Sequence, residues 1–278
     1  MPKRPRGSSP TLGFARAGGP PSRALRRLAI ARTRRRSFPT EIHQKPPSPR
    51  LAAAAAPRPD ALILHAWSEL ATGPRAALDT CRLAAETAHP ADPTPWVAML
   101  AALRLLGRPG GELTSVWREI NARDAWHREA HLQVLGYLSP EEQGSQSSLR
   151  DFLDDVRAAM PSGAPAACLP LAAAVRQYHR DLDSGGTRVL GASRYWAQPH
   201  VAPLLDHALE HWLRPGFRRH AAALADLNLL AYALARAGRA GQATPVTHAT
   251  GGLVTAWPWG HDGDPVDRYT YWYGRISG

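Results

Sequence analysis

The chain has 278 residues, 44% of them hydrophobic but only 7% aromatic, so a core is available and much of it has to be alanine, the strongest helix former. Its net charge of +11 sits at one end: residues 1–50 hold 13 Lys or Arg against the single acid Glu41, a net +12, while residues 51–278 hold 21 against 22, a net −1. An evenly basic, nucleic-acid-binding body is thereby excluded, and two cysteines, Cys81 and Cys168, are too few for a disulfide framework and too far apart for a CxxC site.

In chain order, residues 1–59 come first. Arg34-Arg35-Arg36, Pro46-Pro47 and the run Ala52 to Ala56 offer too little apolar surface to offset chain entropy, so a disordered basic tail is expected. Such a tail attracts phosphate through counterion release without sequence specificity. It lacks acids and is rich in Arg and Ser, as targeting segments are, but no apolar run of signal or membrane-spanning length follows. A soluble cytoplasmic protein is expected.

A shift of 34 residues aligns two blocks, with Leu62 on Trp96 and Gly73 on Gly107. The first block directs Leu62, Ala66 and Leu70 to one face, breaks at Gly73-Pro74, and resumes with Leu78, Cys81 and Ala85. The second places Trp96, Met99, Leu100 and Leu103 before Gly107-Arg108-Pro109, then Leu113, Val116 and Ile120. Spacings of three and four mark amphipathic helices, and each glycine is expected in the left-handed conformation where a helix stops. A third block continues through Ala130, Val134 and Tyr137; the long stretch from Pro140 to Ser148 delays its second helix to Leu149, Phe152, Leu153 and Val156. Helices are then expected from Ala166 to Asp181 and from Ser193 to Trp212, with a Gly-rich break over 183–191.

The last block, from Asp226 to Gly251, carries the clearest pattern: Leu227, Leu230, Ala231, Leu234, Gly238, Ala240 and Ala243. Large, large, small, large, Gly, variable, Ala resembles the tetratricopeptide repeat. The resemblance implies an all-α fold of antiparallel helix hairpins, a solenoid over residues 60–250, closed by an aromatic-rich cap over 251–278. Trp126-His127-Arg128-Glu129-Ala130-His131-Leu132 and Asp226-Leu227-Asn228-Leu229-Leu230-Ala231 are also similar to a group of uncharacterised actinobacterial repeat proteins, which implies origin and fold only. In the tetratricopeptide pattern the first helix of each pair lines a concave groove at fixed positions. Carried onto this chain, these are Trp67, Arg104, Arg128, His131, Asn228, Tyr232 and Arg236, a set with three arginines and no acid.

Other constellations carry weaker chemistry. His207-Ala208-Leu209-Glu210-His211 is similar to the HxxEH signature of inverzincin metallopeptidases, and a spacing of four puts both imidazoles on one helical face. The third ligand of that family is a downstream glutamate, and no glutamate follows Glu210. His127 and His131 repeat the spacing without the motif and read as a solvated helix face. Asp262-Gly263-Asp264-Pro265-Val266-Asp267 hints at calcium but lacks the twelfth-position Glu and reads as a polar loop. Trp257, Trp259, Tyr269, Tyr271, Trp272 and Tyr273 read as the cap that closes a terminal apolar face.

The expected function is a non-enzymatic scaffold without cofactors whose groove binds a protein or peptide segment of acidic character, since the arginine fork pairs with carboxylate. Two alternatives stand beside it: a metal-dependent hydrolase using His207, Glu210 and His211, and nucleic-acid binding through the basic tail.

Overall fold

The computed structural model describes residues 58–161, 163–185, 191–192, 194–217 and 220–277, so the basic tail lies outside the described residues up to position 57. The described residues form α-helices and one 3-10 turn, with no strand among them. They fall into two compact units, Met1–Met160 and Pro161–Gly278. The division cuts the stretch 60–250 that the sequence presents as continuous, and residues 251–278 belong to the second unit.

The first unit contains α1 (Pro59–Glu69), α2 (Pro74–Thr87), α3 (Thr94–Leu105), α4 (Gly110–Arg123), α5 (Arg128–Tyr137) and α6 (Gln146–Ala159). Prolines at the first turns of α1, α2 and α3 start helices where no backbone donor is needed. Helix α3 packs against α1, α2, α4 and α5, and it buries every residue from Val97 to Leu103. Leu113, Val116, Trp117 and Ile120 of α4 close over it. Full burial of each such side chain contributes about 1.5–3 kcal/mol.

The expected chain reversals are present, with one difference. Gly107 has φ +61 and Gly238 has φ +70, and both end their helices alike: Arg108 N–H reaches the Leu103 carbonyl, and Arg239 N–H the Leu234 carbonyl, each at 3.0 Å. That six-to-one bond belongs to the Schellman motif, which needs a left-handed residue. Gly73 instead has φ −148 and precedes Pro74 as the N-cap of α2. A residue before proline is driven to extended backbone, so Gly73-Pro74 starts a helix where Gly107 stops one.

The stretch after Tyr137 is a compact knot. Glu142 and Gly144 N–H both bond the Ser139 carbonyl, Gln143 N–H bonds that of Tyr137, and Ser145 Oγ accepts from Ser148 N–H to cap α6. A Cβ on Gly144 would lie 2.0 Å from the Leu138 carbonyl oxygen, so the position requires glycine by close approach.

The second unit runs from a 3-10 turn (Pro165–Cys168) into α7 (Leu169–Asp183), α8 (Ala202–Trp212), α9 (Ala223–Arg236), α10 (Ala240–Thr250), a single turn α11 (Ala256–Trp259) and α12 (Pro265–Ser277). The helix expected from Ser193 is broken: α8 begins at Ala202, after Pro199 and with Pro203 in its first turn. The Gly-rich break expected over 183–191 lies mostly outside the described residues. Helix α9 is the axis of this unit, touched by α7, α8, α10, α11 and α12, and every residue from Asp226 to Ala235 is buried.

Candidate functional site

Helix α9 is made of Leu and Ala except for the buried Asp226 in its first turn and a polar line at spacing four: Asn228, Tyr232 and Arg236. Residues four apart share a helix face. Each of the three engages the chain's own segment between α10 and α12.

Asn228 is fully enclosed and its carboxamide grips the main chain of that segment. Its Nδ2 donates to the carbonyls of Leu253 and Leu224, each at 3.0 Å, while Oδ1 accepts from Trp259 Nε1 at 2.9 Å and Thr255 N–H at 3.4 Å. Both ends of the amide are therefore satisfied, as burial demands. Residues 253–255 lie outside any helix, with Leu253 N–H turned back onto the Thr250 carbonyl and Thr255 in extended backbone, and they present a carbonyl and then an N–H two positions on, the pair that one carboxamide bridges.

One turn further, the Tyr232 ring meets Trp259 edge to face at 5.2 Å, and its hydroxyl lies 2.8 Å from His179 Nε2. Burial raises the Tyr232 pKa well above the ordinary phenol range. His179 stacks on His261 with ring centroids 3.7 Å apart and planes 9° apart, and His261 faces the Asp183 carboxylate at 3.2 Å. Burial, with the neighbouring His261 and Arg236, holds the His179 pKa down to about 3, so this imidazole is neutral.

At the outer end Arg236 pairs with Asp262 at 3.0 Å and lies over the rings of Tyr232 and Trp272 at 5.1 and 5.4 Å. Partial burial raises the Asp262 pKa, but the Arg236 hydrogen bond and charge and the Arg268 charge outweigh it and leave it below the usual carboxylate value. The strip thus takes, in order, non-helical main chain, an aromatic ring and a carboxylate.

The four groove candidates of the first unit are placed differently. Trp67 is half-buried on α1. Arg104, 16% exposed, faces Glu142 at 3.6 Å, and Arg128, 12% exposed, faces Glu129 at 3.9 Å. His131 is not on a solvated helix face: it is enclosed by Trp117, Trp126 and Phe152, with Nδ1 3.0 Å from the His127 carbonyl. Burial lowers its pKa to about 4. His127 accepts from Ala130 N–H and caps α5, so the pair serves a helix start and an aromatic core. Of the seven candidates, His131, Asn228 and Tyr232 are enclosed and do not line an open face, because tertiary packing closes over them.

His207 and His211 lie on the outer face of α8 with ring centroids 4.2 Å apart, and Glu210 is paired with Arg214 at 2.7 Å. Among the described residues no three His, Cys, Asp or Glu side chains are grouped to hold a metal. In the Asp262–Asp267 run, Asp264 caps α12 by accepting from Val266 and Asp267 N–H at 2.9 and 3.1 Å, while Asp262 answers Arg236 and Arg268. Of the terminal aromatics, Trp259 and Tyr269 are buried, whereas Trp257, Tyr271 and Tyr273 face outward.

The roles of Trp259, His179, His261 and Asp262 are not apparent from local sequence, since their partners lie 26 to 82 positions away. Asn228 is the signal that was present: an amide in a run of Leu and Ala is stable only when something polar meets it. No helix among the described residues is long and apolar enough to cross a membrane. No family model, curated protein or solved structure matches the chain.

Proposed function

We propose that this protein is a non-enzymatic helical scaffold, tetratricopeptide-like and akin to the actinobacterial repeat proteins it resembles, that holds an extended acidic peptide segment of a partner on the faces of its first helices. The observation that carries the reading is the Asn228 carboxamide, which accepts from one residue and donates to another two positions away on a non-helical stretch of chain. Main-chain recognition of that kind fits any extended peptide, and the side-chain contacts around it supply selectivity.

Two further observations support it. Arg104 and Arg236 each face a carboxylate, Glu142 and Asp262, so both arginines sit in surroundings suited to an acid. The matched helix ends at Gly107 and Gly238 support the repeat reading, since the same turn chemistry recurs in both units.

Affinity purification from the native cell with mass spectrometry identifies the partner. The Arg104→Ala/Arg236→Ala chain is then compared with wild type. Loss of the partner from a variant that still melts cooperatively supports the proposal; equal capture overturns it.

A further inference from the structure

Residues 253–262 are held on α9 in the manner of a ligand. The stretch 253–255 makes no helical ladder: Leu253 N–H bonds the Thr250 carbonyl, and the Leu253 carbonyl and Thr255 N–H are taken by the Asn228 side chain. One ring, Trp259, is buried; Leu253 is 61% exposed, and Trp257 also reaches solvent. The far end is fixed by polar contacts at the surface: Asp262 with Arg236, and His261 with Asp183.

The segment also has pivots. Gly251 and Gly252 both have positive φ, +62 and +76, and an added Cβ at either would meet nothing within 4 Å. They border an open cavity of about 530 Å³ with Thr247, His248, Tyr269 and Tyr273. On the other side, Gly263 precedes α12, which is held to α10 by the hydrogen bond between Tyr269 and Thr250 hydroxyls at 3.0 Å and to the segment by the Trp259–Tyr269 ring contact and by Arg268 on the Asp262 carbonyl. The segment is therefore flanked by glycines at both ends while α12 keeps its own contact with α10.

We propose that residues 253–262 are an internal ligand of the α9 strip, and that the partner segment that replaces them offers a non-helical main-chain stretch, then an aromatic ring, then an acid. This rests on the scaffold reading and specifies its ligand. The order follows from the strip: Asn228 takes the main chain, Tyr232 and Asn228 the ring, and Arg236 the carboxylate. A tethered occupant competes at high effective concentration, so an external peptide sees only the fraction of molecules in which the strip is open.

The test uses the full chain and a fluorescent synthetic peptide copying residues 252–264. In the His261→Ala/Asp262→Ala variant the tethered segment loses the side chains that pair with Asp183, Arg236 and Arg268 and stack on His179, while Arg268 keeps the Asp262 carbonyl. The labelled peptide, which still carries them, should bind this variant about tenfold more tightly than wild type. Adding Arg236→Ala should remove the gain. Equal binding to both chains, or a gain that survives Arg236→Ala, overturns the proposal.

Should the variant fail to fold, hydrogen exchange on the wild type decides. The Thr255 and Gly260 amides exchange faster than those of Leu230 and Leu234 if the segment lifts by itself, and at the same rate, against the proposal, if it leaves only on unfolding. A native partner captured through Arg104 alone, without peptide exchange at α9, overturns this inference and leaves the scaffold reading intact.

Discussion

The indole N–H of Trp259 donates to the Asn228 side-chain oxygen at 2.9 Å inside a core where both residues are almost wholly enclosed. Neither group has water as an alternative, so the indole donor depends on this oxygen, which also accepts from Thr255 N–H at 3.4 Å. Asn228→Ala strands the Trp259 donor and the Leu253 carbonyl and leaves a cavity, at a cost of roughly 2–4 kcal/mol in urea unfolding. The double variant with Trp259→Phe should cost less than the two single changes together, because the shared bond is lost only once. Additive losses would mean that the two residues act independently.

Two glycines of neighbouring helix positions should respond in opposite directions. Gly238→Val places a β-branched residue at φ +70, where the surrounding space is open and the cost is in the backbone, on the order of 1–3 kcal/mol. Gly241 lies inside α10 with nothing near an added Cβ, so Gly241→Ala should stabilise by roughly 0.5–1 kcal/mol. Thermal melts of the two variants should move to either side of wild type.

At Gly144 the obstacle is steric. Alanine would bring Cβ to 2.0 Å from backbone, which no side-chain rotation relieves, so the turn from Ser139 to Gly144 has to open. A loss of at least about 1–3 kcal/mol is expected, with α6 exchanging its amides faster than in wild type. Wild-type protection of α6 in Gly144→Ala would place the knot elsewhere.

His131 makes stability fall with acid. Above pH about 6.5 it is neutral both folded and unfolded and contributes no pH dependence. Below that value the unfolded chain takes up a proton that the folded one, with its pKa near 4, refuses. Stability is therefore lost as pH falls from 6.5 toward 4, by at most about 3 kcal/mol for this site. His179 acts in the same direction down to about 3. Chemical denaturation at stepped pH should lose part of this acid slope in His131→Leu; an unchanged slope would assign it to other groups.

Regular periodicity and turn chemistry were legible in the sequence. Leu227, Leu230, Ala231 and Leu234 announce α9, and Gly107 and Gly238 announce left-handed helix ends. The reversal at Gly73 was misread because a glycine before proline looks like a stop and acts as a start. The start of α8 was misread because Pro199 and Pro203 interrupt an otherwise helical pattern. The Asn228 site was only half legible: its buried amide stands out on α9, but the ligands that satisfy it arrive 25 to 31 residues later and obey no helical spacing. The groove positions expected on α9 share one face of the helix, which the chain's own residues 253–262 cover, and no local spacing in the sequence signals that cover.

Selection of random displayed peptides on the immobilised full chain decides whether the protein holds an acidic peptide through its arginines. Enrichment of sequences pairing an aromatic residue with a later Asp or Glu, lost on an Arg104→Ala/Arg236→Ala chain of wild-type melting behaviour, is the predicted result. No enrichment, or enrichment of peptides without acids that the double variant binds equally well, would contradict it.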